Sequence, residues 1–402
     1  MHKTVFLICL LLFGCKNDFD LELEELTSNL PVISIKTENS LPIVTRDEYL
    51  SGSLEVFSEH VDHNLGISLS IRGRGNSTWK FPKKSYQIKF SDKEEFLGMP
   101  KDKKWILLAN YSDKTLLRNE VAFKLSRLSN LDWTPESRFV ELFVNDEYLG
   151  VYQATQKVEE SSNRVDITNN GYLLEVDQPV RVNASGEIYF KTDHYLFKIK
   201  EPNLELRDDQ FLLIRDYVQL TEQVLLGNNF MDSVEGYRNY IDVSSFVDWY
   251  LINEITKNND SKFRYSVYLN YIPGGKLKMG PIWDYDISLG NINVNNNETP
   301  DGYWIKKSTW YSRLFEDPNF VAKVKSRFNY FYNNRDLFEE NIVSTAYYLD
   351  QGQKRNFKKW PILGEYVWPN HVAFKSYNEE VEYLKKWLNE RFEWMNKSIN
   401  DL

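Results

Sequence analysis

The sequence predicts an α+β fold with a strand-rich first half and a helix-rich second half. Between residues 31 and 200, short segments alternate apolar and polar residues, as strands with one buried face do. Beyond residue 201, apolar residues recur at the spacing of amphipathic helices. Because 42% of the 402 residues are hydrophobic and 15% are aromatic, the chain can build a substantial core.

In the first half, alternation predicts strands at residues 67–71, 86–90, 139–144, 149–152, 172–176 and 195–199. The third and fourth of these flank Asn145-Asp146-Glu147, which predicts a hairpin. One helix interrupts the strands. An apolar stripe that includes Leu117, Val121 and Leu125 predicts it over residues 114–128.

In the second half, helical spacing predicts helices at residues 208–226, 243–256, 319–335 and 381–395. A hairpin separates the second and third helices. Its strands are predicted at residues 265–271 and 277–283, around the turn Pro273-Gly274-Gly275.

The charge balance argues against one broad class of partner, nucleic acid. The chain sets 49 Lys and Arg residues against 58 Asp and Glu residues, which gives a formal charge of −9. General nucleic-acid-binding proteins usually carry an excess of basic residues, so we expect no nucleic-acid partner. The two cysteines are too few for a disulfide scaffold.

The N-terminus has the pattern of a secretory signal. Its apolar run at residues 5–13 is far below the roughly 20 residues that a membrane-spanning helix needs. Leu12-Phe13-Gly14-Cys15 resembles a bacterial lipobox, which predicts cleavage after residue 14 and a lipid on Cys15. The alternative is an ordinary signal peptide with an incidental cysteine.

We therefore expect a lipoprotein signal peptide at residues 1–14, an acidic tether at 15–30 and a folded domain at 31–402. The lipid would be the only membrane contact, because no other stretch approaches transmembrane length. This order of segments predicts a protein anchored in the cell envelope, at the outer membrane or cell surface.

A basic, glycine-containing loop is the first candidate for a functional motif. Arg72-Gly73-Arg74-Gly75-Asn76-Ser77-Thr78-Trp79 follows a predicted strand, and Lys83-Lys84 opens the next one. Glycines let a backbone approach an anionic ligand, and Arg and Lys supply positive charge. The glycines lack the spacing of the known nucleotide-binding loops, so a structural turn is the alternative.

Three aspartates form the second candidate. If Trp283-Asp284-Tyr285-Asp286 is extended, Asp284 and Asp286 project to one face, where hard carboxylate oxygens favour Mg²⁺ or Mn²⁺. The intervening hairpin can return the chain to the side of Asp260. One acid could then orient a nucleophile while the others hold a metal, which is the division of labour that phosphoryl transfer needs.

Each member of this set also has a plain structural interpretation. Asp260 could be a turn or cap residue at the end of a helix, and Asp286 could be a solvated strand residue. Trp283 and Tyr285 are expected to be core residues rather than ligand contacts.

Five separated motifs resemble those of CotH-type kinases, named after the spore coat protein H, and occur in the same order. They are Arg72-Gly73-Arg74-Gly75-Asn76-Ser77, Lys83-Lys84-Ser85-Tyr86, Asp113 through Leu117-Arg118-Asn119, Tyr148-Leu149-Gly150-Val151-Tyr152 and Trp283-Asp284-Tyr285-Asp286. The segment Lys276-Leu277-Lys278-Met279-Gly280-Pro281 looks like surface-lipoprotein members from Bacteroidetes-like bacteria.

The resemblance implies an atypical, envelope-associated protein kinase with a divergent two-lobe, kinase-like fold. Its N-lobe would span about residues 31–200 and its C-lobe about residues 201–402. ATP would be the substrate, Mg²⁺ or Mn²⁺ the cofactor, and Ser or Thr hydroxyls of a protein the acceptor.

The resemblance also implies roles for individual residues. Asp260 matches the catalytic acid–base residue and Asp284 the metal ligand, with Asp286 as a second metal contact. Arg74 and Lys84 are candidates for binding the nucleotide phosphates. Arg118 either supports the fold through an ion pair or reaches phosphate.

Three functions remain open at this point. The first is a Mg²⁺-dependent protein kinase, and the second is a metal-dependent phosphohydrolase that uses the same acids. The third is a catalytically inactive kinase-like module for binding or assembly, which would use exposed aromatic residues. The candidates for that role are Trp304, Trp310, Trp360 and Trp368.

Overall fold

The computed structural model describes residues 29–58, 66–168 and 170–402, with the side chains of residues 183–185 left aside. The predicted signal peptide, Cys15 and most of the predicted tether lie outside the described residues. Over the described ranges the fold is α+β, as predicted, with strands concentrated in the first half and helices in the second.

Seven strands of the first half close into a barrel, which the sequence patterns did not indicate. They are β1 (Val32–Thr37), β2 (Leu50–Phe57), β3 (Ile67–Arg74), β4 (Ser85–Phe96), β5 (Met99–Leu108), β6 (Ser137–Val144) and β7 (Glu147–Gln156). The order around the barrel is β1-β2-β3-β4-β5-β7-β6, and a parallel pairing of β1 with β6 closes it. Ile35, Ile71 and Trp105 belong to the separate core inside the barrel. This architecture does not by itself confirm a two-lobe, kinase-like arrangement.

Five further strands form a second, antiparallel sheet. They are β8 (Tyr172–Asp177), β9 (Tyr189–Lys191), β10 (Leu196–Glu201), β11 (Val267–Tyr271) and β12 (Lys278–Met279). Their order is β12-β11-β8-β10-β9. Because β8 pairs with β11, the sheet joins strands from both halves of the chain.

Helices make up most of the remaining structure. They are α1 (Arg118–Arg127), α2 (Pro179–Ser185), α3 (Asp209–Leu226), α4 (Val243–Thr256), α5 (Thr309–Leu314), α6 (Pro318–Asn333), α7 (Asp336–Tyr348), α8 (Asp350–Lys359) and α9 (Tyr377–Asn400). The helices predicted at 208–226, 243–256, 319–335 and 381–395 are confirmed as α3, α4, α6 and α9.

Helix α4 is the centre of the larger core. Every residue from 245 to 256 is buried, because α1, α6, α9 and β12 all pack around it. The chain leaves α4 directly into the turn that carries Asp260.

The helix predicted over residues 114–128 begins later than expected, at Arg118. The residues before it form a turn in which Asp113 accepts the backbone N–H groups of Thr115 at 3.1 Å and Arg118 at 2.9 Å. Leu116 adopts φ +62° in this turn, which is incompatible with a continuing right-handed helix.

Candidate active site

The end of α4 fixes the position of the first acidic residue. The helix stops where Lys257 adopts the left-handed conformation, with φ +48°. Lys257 Nζ then donates to the carbonyl groups of Asn296, Thr299 and Asp301 at 2.5, 3.0 and 2.6 Å. These contacts attach the turn that carries Asp260 to a neighbouring loop.

Asp260 lies in a turn that asparagine side chains stabilise. Its N–H donates to Asn258 Oδ1 at 3.3 Å, and its Oδ1 accepts a hydrogen bond from Asn259 Nδ2 at 3.3 Å. Burial, and next the negative charge of Asp284, raise the pKa of Asp260 from 3.8 to about 6. A carboxylate with a raised pKa is better suited to accept a proton from an alcohol near neutral pH.

The prediction that the acidic motif is an extended strand is wrong. Strand β12 ends at Met279, and residues 281–285 have no regular secondary structure. Asp284 adopts φ +73°, so strand geometry does not place its side chain and that of Asp286 on one face. Left-handed backbone at a residue other than glycine is uncommon, and such strain is concentrated at functional sites.

Asp284 nevertheless remains beside the other acids. Its carboxylate accepts a hydrogen bond from Ser266 Oγ at 3.3 Å, and its backbone carbonyl accepts one from Asn258 Nδ2 at 3.1 Å. Burial raises the pKa of Asp284. Because Asn258 also contacts Asp260, one asparagine connects the two turns.

Asp286 completes a group of three acids. Ser112 Oγ donates to its carboxylate at 3.4 Å, and Asn291 Nδ2 donates to its backbone carbonyl at 2.7 Å. Burial, and then the negative charges of Asp284, Asp113 and Asp260, raise the pKa of Asp286 well above its ordinary value. The structure therefore brings together the three aspartates that the sequence singled out.

The chemistry of this group fits a hard divalent cation. Asp284 and Asp286 are half-buried carboxylates, and the negative charge of Asp284 makes ionisation of Asp286 less favourable. A cation between them would offset this repulsion. Within the described ranges, no group of three or more His, Cys, Asp or Glu side chains is arranged so that it could hold a metal ion. Mg²⁺ does not require three protein ligands, because it commonly uses one or two carboxylates, water and substrate phosphates.

Arg74 extends from the end of β3 toward this acidic group. Its guanidinium lies 5.0 Å from the centroid of the Trp283 ring, and Asp284 is among the acids whose charge acts on it. Arg74 Nη1 is buried and has no hydrogen-bond partner among the residues described. Because buried donors are nearly always paired, this N–H is available to an anionic ligand.

Arg181 belongs to the site, although the sequence patterns did not indicate it. It lies in the short helix α2, with its guanidinium 3.5 Å from the centroid of the Tyr265 ring. Its positive charge acts on both Asp260 and Asp284. The only available signal was a basic residue just after the strand at 172–176, which is too common a pattern to identify a site.

Lys84 and Lys83 have different environments. Lys84 Nζ donates to the carbonyl of Trp79 at 2.6 Å, within the loop that connects β3 and β4. Lys83 Nζ is buried and donates to the carbonyl of Val151 at 2.5 Å and to Asn356 Oδ1 at 2.8 Å. Burial lowers the pKa of Lys83 to about 7. Lys83 thereby connects the barrel to helix α8.

The glycines of the basic loop have a packing role. A Cβ atom at Gly73 would collide with the Trp79 ring, and one at Gly75 would collide with the Thr78 hydroxyl. Gly75 also adopts φ +108°. These packing contacts account for the presence of glycine at both positions, and no bound ligand is needed to explain it.

Arg118 occupies a buried, fully engaged position. It pairs with Asp113 and donates to the backbone carbonyl groups of Ser288 at 3.1 Å and Leu289 at 3.5 Å. These partners match the supporting role that was one of its two predicted roles.

Trp283 and Tyr285 are buried, as predicted. Tyr285 donates its hydroxyl to Asn253 Oδ1 at 2.6 Å, and its N–H donates to Asn119 Oδ1 at 2.8 Å. These bonds anchor the residue between Asp284 and Asp286 to helices α4 and α1.

The expectation that four tryptophans form an exposed binding surface is wrong for most of them. Trp304 and Trp310 are buried, and Trp310 Nε1 donates to Glu222 at 2.7 Å. Trp360 is half-buried and donates to the carbonyl of Leu149 at 2.9 Å. Trp368 is exposed, at 58%.

The N-terminal predictions, including lipidation at Cys15, fall outside the described residues. Within those residues, none of the helices combines the length and the apolar character needed to cross a bilayer.

Two comparisons with known proteins bear on this site. The chain is 25% identical to the inner spore coat protein H of Bacillus subtilis (strain 168) over 263 residues, which cover 64% of this chain and 69% of the relative. Residues 71–395 match the protein family described as CotH kinase protein. This match includes Arg74, Asp260, Asp284 and Asp286 and spans well over half of the sequence. The protein therefore belongs to the CotH kinase family.

Proposed function

We propose that this protein is an atypical protein kinase that transfers the γ-phosphoryl group of ATP to Ser or Thr hydroxyls of a protein. The observation that carries the proposal is the convergence of Asp260, Asp284 and Asp286 in one half-buried group, on which the charges of Arg74 and Arg181 act. Phosphoryl transfer depends mainly on positioning and on neutralising charge, and this group contains residues suited to both tasks.

In this proposal Asp260 positions the acceptor. Its carboxylate accepts a hydrogen bond from the Ser or Thr hydroxyl, which directs the oxygen toward the γ-phosphorus. The new oxygen–phosphorus bond forms as the bond between the γ-phosphorus and the bridging oxygen of ADP breaks. The hydroxyl proton passes to Asp260, whose raised pKa favours its acceptance.

Asp284 and Asp286 would hold Mg²⁺ or Mn²⁺ in this site. When bound, the cation neutralises negative charge on the nucleotide phosphates. Arg74 and Arg181 would contact phosphate oxygens, and Nη1 of Arg74, which has no partner among the described residues, offers a hydrogen-bond donor. Lys84 remains a further phosphate-binding candidate.

We also propose that Cys15 carries a lipid that anchors the domain in the cell envelope, at the outer membrane or cell surface. The lipobox-like residues 12–15 support this anchor. Metabolic labelling with a fatty acid should mark the wild-type protein and leave a Cys15→Ser variant unlabelled. Equal labelling of both would contradict the anchor.

The kinase proposal is tested with purified protein, labelled ATP, Mg²⁺ and a mixed peptide library. Asp260→Asn should reduce phosphate transfer by roughly a hundredfold or more while sparing nucleotide binding. Asp284→Asn should first weaken binding of the metal–nucleotide complex, as calorimetry would show. Asp193→Asn, which removes one exposed acid, is the control and should change neither property.

Three results would contradict the proposal. Equal effects of the Asp260 and Asp284 variants on nucleotide binding would remove the separate roles assigned here. Free phosphate without a labelled acceptor would indicate a phosphohydrolase. A folded wild-type protein that binds no nucleotide would indicate a binding module.

A further inference from the structure

Three basic residues form a surface beside Asp260, in a chain whose formal charge is −9. This basic rim consists of Lys262, Arg264 and Lys307. Arg264 and Lys307 are exposed, and Lys262 is partly exposed. Across the residues that the structure describes, none of the three forms an ion pair with a carboxylate.

Backbone hydrogen bonds hold the rim next to the proposed catalytic acid. The N–H of Arg264 donates to the backbone carbonyl of Asp260 at 3.3 Å, which places the arginine in the same turn. Trp304 Nε1 donates to the carbonyl of Asn258 at 2.9 Å, just before Asp260. The N–H of Lys307 donates to the carbonyl of Trp304 at 3.3 Å.

Lys262 connects the two segments of the rim. Its Nζ lies 4.4 Å from the centroid of the Trp304 ring. Burial, followed by the positive charges of Lys307 and Arg264, lowers the pKa of Lys262. The three cations therefore lie close enough to repel one another. The acid that opposes this effect, Glu254, is fully buried and already paired with Arg391.

The rim is associated with Asp260 rather than with the metal-binding candidate Asp284. The leading basic residues that act on the metal-binding candidate Asp284 are Arg74 and Arg181. Asp260 instead experiences the charges of Arg181 and Arg264. Arg181 therefore acts on both acids, whereas Arg264, a member of the rim, is among the charges that act on Asp260.

We infer that the basic rim binds an acidic acceptor segment, in which anionic side chains flank the Ser or Thr that receives phosphate. Unpaired, clustered cations on a surface attract a partner of opposite charge and raise its rate of association. Either Asp and Glu or previously phosphorylated residues would supply the anionic groups. This inference rests on the proposed kinase function for the transfer step, but the binding of the acidic segment can be measured without transfer.

The experiment uses three peptides of equal length, each with one central Ser in an acidic, neutral or basic sequence. Binding to the wild-type protein is measured by fluorescence anisotropy with Mg²⁺ and a non-hydrolysable ATP analogue. Phosphate transfer is measured in parallel with ATP. The acidic peptide should bind at least about tenfold more tightly than the neutral one, and added salt should reduce this advantage.

The variant Lys262→Gln/Arg264→Gln/Lys307→Gln removes the rim. It should weaken binding of the acidic peptide by about tenfold or more, with little change for the neutral peptide or for ATP. A matched control, Lys101→Gln/Lys323→Gln/Lys358→Gln, removes three positive charges from exposed lysines on β5, α6 and α8. It should leave acidic-peptide binding near the wild-type value.

The possible failures can be told apart. Equal binding of all three peptides, or equal losses in the rim variant and the control, would overturn the inference and leave the kinase function standing. If the rim variant instead loses affinity for ATP, the three cations bind the nucleotide rather than the acceptor segment. Tight, rim-dependent binding of the acidic peptide without transfer would contradict the kinase function and support the rim. A fourth peptide with phosphoserine in place of Asp and Glu separates the two sources of anionic charge.

Discussion

Arg118 and Asp113 form an ion pair in which both side chains are buried, with Arg118 Nη1 2.5 Å from Asp113 Oδ1. The same guanidinium donates to the carbonyl of Ser288 at 3.1 Å. Ser288 follows the acidic motif by two residues, so this contact joins the start of α1 to the site loop. One buried ion pair thus supports the position of Asp286.

Arg118→Met should destabilise the protein by about 3–5 kcal/mol, because it leaves the Asp113 carboxylate buried without its partner. Urea denaturation at neutral pH measures this loss as a change in the free energy of unfolding. Arg127→Met is the control, since the Arg127–Glu120 pair is partly exposed and should contribute less than about 1 kcal/mol. If both variants lost the same free energy of unfolding, the buried Arg118–Asp113 pair would contribute no more to stability than the partly exposed Arg127–Glu120 pair.

Asp260→Asn should stabilise the metal-free protein above pH 6 while it removes activity. The pKa of Asp260 is raised from 3.8 to about 6 on folding. Between these values the folded state holds more protons than the unfolded state, so the stability that Asp260 confers falls as pH rises. Above pH 6 the ionised Asp260 lowers the free energy of unfolding by its full amount, roughly 1–3 kcal/mol.

Thermal unfolding in EDTA from pH 4 to pH 8 tests whether the stability conferred by Asp260 falls as pH rises. The difference in Tm between Asp260→Asn and wild type should grow up to about pH 6 and then level off. The exposed Asp193→Asn variant controls for the loss of one negative charge. A difference that shrinks as pH rises would contradict the raised pKa.

The local elements and the proximity of the three aspartates were predictable from sequence, because they depend on periodicity and on residue chemistry. Helix α4 has the expected bounds, and the three aspartates do converge. The closure of the barrel was not predictable, since the pairing of β1 with β6 joins strands about a hundred residues apart. No local pattern encodes such a pairing.

Backbone conformation and side-chain partners caused the other errors. An alternating pattern predicted a strand at Asp284, but its left-handed φ depends on tertiary contacts. Trp310 was expected at the surface, yet it is buried because Glu222 satisfies its indole N–H. Arg181 becomes a site residue only because α2 folds against Tyr265.

Arg181→Ala should lower kcat/KM for ATP by about tenfold to a hundredfold, because it removes a charged hydrogen-bond donor proposed to contact phosphate. Arg181→Lys should recover only part of this loss, since a lysine cannot reproduce the planar, two-pronged donor or its stacking on Tyr265. Steady-state kinetics with varied ATP measures both effects. Arg207→Ala, at an exposed position, should behave like wild type. A fully active Arg181→Ala enzyme would exclude Arg181 from the reaction.

Arg74→Met and Lys84→Met should differ in their effect on ATP binding. Arg74 Nη1 is buried without a partner among the described residues and faces Asp284, so its loss should weaken ATP binding by about tenfold or more. Lys84 Nζ already donates to the Trp79 carbonyl at 2.6 Å and would have to break that bond to reach phosphate. Lys84→Met should therefore weaken ATP binding by less than about threefold. Calorimetric titration with Mg²⁺ and ATP compares the two, and the reverse order would identify Lys84 as the main phosphate ligand.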